Sequence, residues 1–135
     1  MKPRARRLRG LALLVCMITA IDLSTNHLLL PYLNHSPMLY NPNGPELIEI
    51  VATLFTAILL VVYINRPWAV LFAGLLTGGY VANVLDLHLF GPVTDFIHRP
   101  GSDYYMNVAD LFIGSSFVVL GLVIIISLRR RQLPL

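Results

Sequence analysis

Four apolar stretches separated by short polar turns constrain this chain more than any other feature. They cover about residues 8–30, 47–64, 67–89 and 108–128. Read as a helix, residues 8–30 extend about 35 Å, enough to cross the hydrocarbon core of a bilayer. The punctuation between stretches is specific. Pro31 opens a loop rich in Pro and Asn, PYLNHSPMLYNPNGP, with several turn signals. Pro45 and Glu46 suit the start of the second helix. Asn65, Arg66 and Pro67 form a tight turn, and Trp68 follows as an interfacial anchor. Gly74, Gly78 and Gly79 would let the third helix approach its neighbours closely.

Composition points the same way. The 135 residues are 56% hydrophobic and 13% charged, about half the charge of an ordinary soluble domain. The chain reads as a single integral membrane domain over residues 1–135. Its net charge of +3 is modest and its basic residues lie at the ends, so nucleic acid is not an expected partner. The one cysteine, Cys16, sits in an apolar run and excludes an internal disulfide or a CxxC site. A basic N-terminus ahead of an apolar run also opens a cleavable signal peptide. Here the run passes any small-residue cleavage site, and Val15 is too bulky ahead of Cys16 for a lipoprotein signal. An uncleaved first span is expected.

Four spans put both termini on one side. Of the ten basic residues, all except Arg99 fall at the N-terminus, the Arg66 turn or the C-terminus. The positive-inside rule therefore makes both termini cytoplasmic. All seven acids (Asp22, Glu46, Glu49, Asp86, Asp95, Asp103, Asp110) then lie toward the opposite face, with outer loops at 31–46 and 90–107. Acids gathered there imply a polar site at the outer interface.

The site candidates follow from spacing. Asn83 with Asp86, and Asn107 with Asp110, are three residues apart and share a helix face. Asp95 lies between these pairs, and Asp22 lies near the outer end of the first helix. Each alone has an ordinary reading, as an interhelical hydrogen bond or a helix-start acid. Together they suggest function, as ionisable groups in membrane bundles usually do. Two carboxylates brought close share one proton, so one can act as acid and the other as base toward water. That suits peptide hydrolysis without a covalent intermediate. His27, His35, His88 and His98 lack the HExxH spacing of a zinc protease, and Ser115 and Ser116 have no histidine at useful spacing. No metal or other cofactor is expected.

These residues resemble the signal peptidase II family, the lipoprotein signal peptidases of bacteria. The family's GxxGNxxDR is similar to GYVANVLDL, Gly79 to Leu87. Its GxVxDF is matched by GPVTDF, Gly91 to Phe96, and its FNVAD by MNVAD, Met106 to Asp110. DxxTK is partly matched by DLSTN, Asp22 to Asn26. The resemblance implies that Asp95 and Asp110 are a catalytic dyad, with Asp22, Asn83, Asp86 and Asn107 shaping the site. It implies an all-α membrane protein, a four-helix transmembrane bundle with a small extracytoplasmic β cradle and a short surface helix. It also implies cleavage just before the lipidated cysteine of diacylglyceryl-modified prolipoproteins at the outer face of the bacterial cytoplasmic membrane. Membrane lipid is an implied partner, and a monomer is expected.

The sequence departs from the family pattern at several positions. Asn26 stands for the lysine of DxxTK, Leu87 for the arginine after Asp86, and Ala82 for a glycine. The NxGAAF motif is blurred into NPNGPE, Asn41 to Glu46. Arg99 is a candidate source of the missing positive charge. Two other readings stay open at this point: a non-catalytic relative that binds lipoproteins or lipid, and a small proton- or cation-handling subunit using Asp22, Asp86 and Asp110.

Overall fold

In the structure, a computed structural model of the chain, the four apolar stretches form helices. Residues 3–29, 39–41, 47–64, 66–101, 103 and 105–132 are described. Helix α1 is Pro3–Ser24 and runs on into a π-helical turn, Thr25–Leu29; α2 is Leu47–Tyr63, α3 is Pro67–Leu89 and α4 is Val108–Gln132. Helices α1 and α4 are longer than the apolar pattern alone predicts, because their arginine-rich ends stay helical. Arginine is a good helix former, and Pro3 occupies a first-turn position that tolerates proline. Pro67 opens α3 in the same way, after an extended Arg66.

Three segments, Arg4–Leu29, Pro67–Leu89 and Val108–Arg130, are long and apolar enough to cross a membrane. Helix α2, with 17 residues, reaches about 26 Å, the short end of what a bilayer requires. Burial is inverted relative to a soluble protein. Leu13 is 72% exposed, Phe55 63% and Val118 62%, while Asp22, Asp86 and Asn107 are fully buried. Hydrocarbon solvates the apolar exterior and leaves polar groups to satisfy one another inside.

The helices alternate in direction, and their ends differ in character. At the arginine-bearing end, Leu11, Ala57, Val61 and Ala73 form an apolar layer flanked by Val15 and Val70. There an Arg7 Nη1 donates to the Ile64 carbonyl at 2.9 Å, satisfying an acceptor just past the end of α2. At the other end the C-termini of α1 and α3 meet the N-terminus of α4. Helix α3 is central. A Cβ on Gly74 would come within 2.3 Å of Leu14, and one on Gly78 within 2.9 Å of Ile18, so both face α1. On Gly79 it would meet Ile113 and the Ala109 carbonyl at 2.6 and 2.7 Å, so Gly79 faces α4. The close approach inferred from these glycines is thus used on two sides.

Short strands cover the polar end. Strand β1 (Leu39–Asn41) pairs antiparallel with β2 (Val93–Asp95), Leu39 opposite Asp95. Strand β3 (Ile97–His98) pairs with β4 (Tyr105–Met106), Ile97 opposite Met106. Gly91, with φ of +104°, turns the chain from α3 into β2. The outcome is the all-α bundle with a small strand cradle that the sequence anticipates. Among the described residues the two loops supply strands and no surface helix. Most of the 31–45 loop, Glu46 and the blurred NPNGPE motif apart from Asn41 lie outside the described residues.

Replacing Gly78 with valine should destabilise the protein by about 1–3 kcal/mol, through overpacking against Ile18. A Cβ on Gly114 meets nothing within 4 Å, so Gly114→Ala should be neutral or slightly stabilising. Thermal unfolding in detergent micelles checks both, and equal effects would refute the close-approach argument.

Candidate active site

Asn107 is the residue before α4, and it caps that helix. Its Oδ1 accepts the Asp110 N–H at 2.9 Å, and its own N–H donates to Asp110 Oδ2 at 3.3 Å. This is a capping box written with Asn and Asp, each satisfying a backbone donor the helix leaves open. The ordinary helix-start role of Asp110 is therefore real, and it occupies one carboxylate oxygen. The other oxygen, Oδ1, accepts from Asn83 Nδ2 at 3.0 Å. Asn83 in turn accepts from Asn107 Nδ2 at 2.7 Å. Asn83 thus meets both members of the Asn107–Asp110 pair across α3 and α4, while Asp86, its i+3 neighbour, turns to other partners.

A second network lies beside the first. Asp22, fully buried in the last turn of α1, accepts the Ala109 N–H on Oδ1 at 2.7 Å. Its Oδ2 accepts from Asn26 Nδ2 at 3.1 Å. The same Asn26 nitrogen donates to Asp86 Oδ2 at 3.1 Å, bridging two acids from different helices. Asp86, also fully buried, takes the Thr94 N–H on that oxygen at 3.5 Å and meets His27 Nε2 through Oδ1.

The two networks touch both sequence-predicted aspartates through the backbone. Thr94 immediately precedes Asp95, and Ala109 immediately precedes Asp110. Each of these amides is held by a buried carboxylate from another element. Asp95 ends β2 and is itself buried at 7% exposure. The next residue, Phe96, donates its N–H to the Met106 carbonyl at 3.1 Å, which brings the Asp95 segment alongside the entry to α4. Asp22 lies within electrostatic reach of Asp86, Asp110 and His27. Four acids from four elements, Asp22, Asp86, Asp95 and Asp110, are thus gathered at one end of the bundle.

Two participants escape a sequence reading. Asn26 appears there only as a lost lysine, although its i,i+4 spacing from Asp22 places the two on one helix face. His27 appears only as a histidine without zinc-site spacing. It is five residues from Asp22, off that face in a regular α-helix, and it is the π-helical turn at Thr25–Leu29 that brings it to Asp86. Arg99, the sequence candidate for a compensating cation, is exposed just past β3. The buried Ser116 hydroxyl donates to the Ile113 carbonyl of its own helix, an ordinary structural role.

Asn107→Ala removes the cap and leaves Asn83 Oδ1 and the Asp110 N–H short of a partner. It should cost about 2–4 kcal/mol in thermal unfolding. Exposed Ser115→Ala should stay within about 0.5 kcal/mol of the parent; an Asn107→Ala value no larger would show that the network carries no stability.

Comparison with known proteins places this geometry in a family. No curated protein matches the chain. A solved bacterial membrane enzyme, determined by the in meso method at 2.3 Å resolution, shares the fold with a TM-score of 0.67. The match covers 90% of this chain and 88% of that one at 19% identity. The family profile described as signal peptidase (SPase) II matches residues 13–128. That span contains both aspartate motifs and all but the arginine-rich ends of the bundle, and the chain belongs to the signal peptidase II family.

Proposed function

We propose that this protein is an aspartyl endopeptidase that removes signal peptides from diacylglyceryl-modified prolipoproteins, with Asp95 and Asp110 as the catalytic pair. Family membership supports signal-peptide processing in general. The observation that carries the finer reading is the matched anchoring of the two aspartates. Buried Asp86 holds the amide ahead of Asp95, and buried Asp22 holds the amide ahead of Asp110. A hydrolytic pair needs its two carboxylates at a set separation, and backbone held from behind provides that control.

The pair shares one proton. The ionised carboxylate takes a proton from water as the water attacks the scissile carbonyl; the protonated one supports the developing oxyanion and then protonates the leaving amine. Asn83 and Asn107 orient the Asp110 carboxylate while this occurs. The substrate is anchored by its lipid in the membrane that solvates the helix exteriors, so its cleavage site meets the protein at the bilayer surface. The basic residues at one end of the bundle support cytoplasmic termini and a site on the extracytoplasmic side of the bacterial cytoplasmic membrane. The protein acts as a monomer.

Purified protein incubated with a lipidated prolipoprotein should release the signal peptide. Asp95→Asn and Asp110→Asn should each lower the rate at least ~10²-fold. Variants as active as the parent would overturn the assignment of the pair, and substrate retained but uncut by the parent would favour a lipoprotein-binding relative. The rate of the parent should fall on both sides of an intermediate pH, since only the singly protonated pair is competent. A flat profile between pH 4 and 9, on the order of the range carboxylates and histidines span, would contradict a shared proton.

A further inference from the structure

We propose that His27 is a positioning residue for the cleavage reaction, and that its imidazolium keeps Asp86 and Asp22 charged and aligned. The inference rests on the reading that Asp95 and Asp110 cut the substrate. Asp22 and Asp86 are both fully buried and are joined by a single amide nitrogen of Asn26. Two buried carboxylates joined only by a neutral amide are costly, and a buried acid needs a cation or a proton. Neither the lysine of DxxTK nor the arginine after the helix-three aspartate is present, since Asn26 and Leu87 occupy those positions. His27 supplies a cation at the same carboxylate from the next residue along. Its Nε2 meets Asp86 Oδ1, and its ring is stacked on Phe90 with centroids 3.9 Å apart and planes at 28°.

The consequence reaches the catalytic pair through backbone. A charged carboxylate accepts an N–H more strongly than a neutral acid does. When His27 is charged, Asp86 holds the Thr94 amide, and Asn26 passes the alignment to Asp22, which holds the Ala109 amide. When His27 is neutral, Asp86 loses the cation at Oδ1 and its hold on the Thr94 amide weakens. The other carboxylates and histidines on the elements packed around the pair are Asp22 on α1, Asp86 and His88 on α3, Asp95 on β2 and Asp110 on α4; the arginines of α1 and α4 lie at the opposite end of those helices. His88 is exposed, and its ring is engaged with the Val84 carbonyl of its own helix.

The test uses full-length protein in micelles with a lipidated prolipoprotein. His27→Gln should lower kcat about 10–100-fold while KM changes less than about 3-fold, as expected for misaligned catalytic groups. His27→Lys should recover most of that loss, because it restores a cation beside Asp86. Parent-like activity in His27→Gln, or a His27→Lys variant no better than His27→Gln, would overturn the proposal. A thermal unfolding cycle of His27→Gln, Asp86→Asn and the double variant is read without activity. Each single variant should lower Tm by at least about 5 °C, and the double by no more than the larger single. Additive losses would overturn the pairing. Absence of turnover in the parent would count against the proposed cleavage, and the thermal cycle would still decide whether His27 and Asp86 act as a pair.

Discussion

Carboxylates buried in an apolar bundle, each closed by a backbone amide from another element, are the constraint on which the polar end of this protein depends. Asp22 and Asp86 cannot sit fully buried in α1 and α3 without donors. The donors they take belong to β2 and α4, at Thr94 and Ala109. Satisfying the buried acids therefore fixes where two later segments of chain must lie. Those segments carry Asp95 and Asp110. Under the proposed function, the bonds that compensate the buried acids also hold the hydrolytic pair.

The rest of the bundle makes that end possible. Gly74 and Gly78 bring α3 against α1, and Gly79 brings α3 against α4. Without those approaches, Asn26 could not span from Asp22 to Asp86, nor Asn83 reach both Asn107 and Asp110. At the opposite end Leu11, Val61 and Ala73 form an apolar layer. The outer faces, rich in exposed Leu, Ile, Val and Phe, leave lipid as the solvent. A bundle so arranged concentrates its polar interior at one end, beside the covering strands.

Asp110 shows why a structural role need not compete with the catalytic role proposed for it. One of its oxygens completes a capping box with Asn107, as an acid at a helix start would in any protein. The other is held by Asn83. The cap fixes the rotamer, and a fixed rotamer is what a reacting carboxylate requires. Ser116, by contrast, has only the ordinary role, returning its hydroxyl to its own helix. The distinction lies in whether the side chain reaches beyond its own element.

Sequence alone determined the class of the protein, its four helices and the residues worth watching. Apolar runs of bilayer length admit few other structures, because backbone polar groups in lipid must pair within a helix. The i,i+3 spacing of Asn83 with Asp86 and of Asn107 with Asp110 was legible because helical periodicity is local. Only the tertiary structure decided which groups those acids serve. The acceptors for Thr94 and Ala109 lie on other helices, and no local pattern announces a backbone donor. The place of His27 was hidden for a related reason: a change from α to π winding over five residues moves a side chain to a new face. Helical periodicity thus announced the acids, and long-range packing selected their partners.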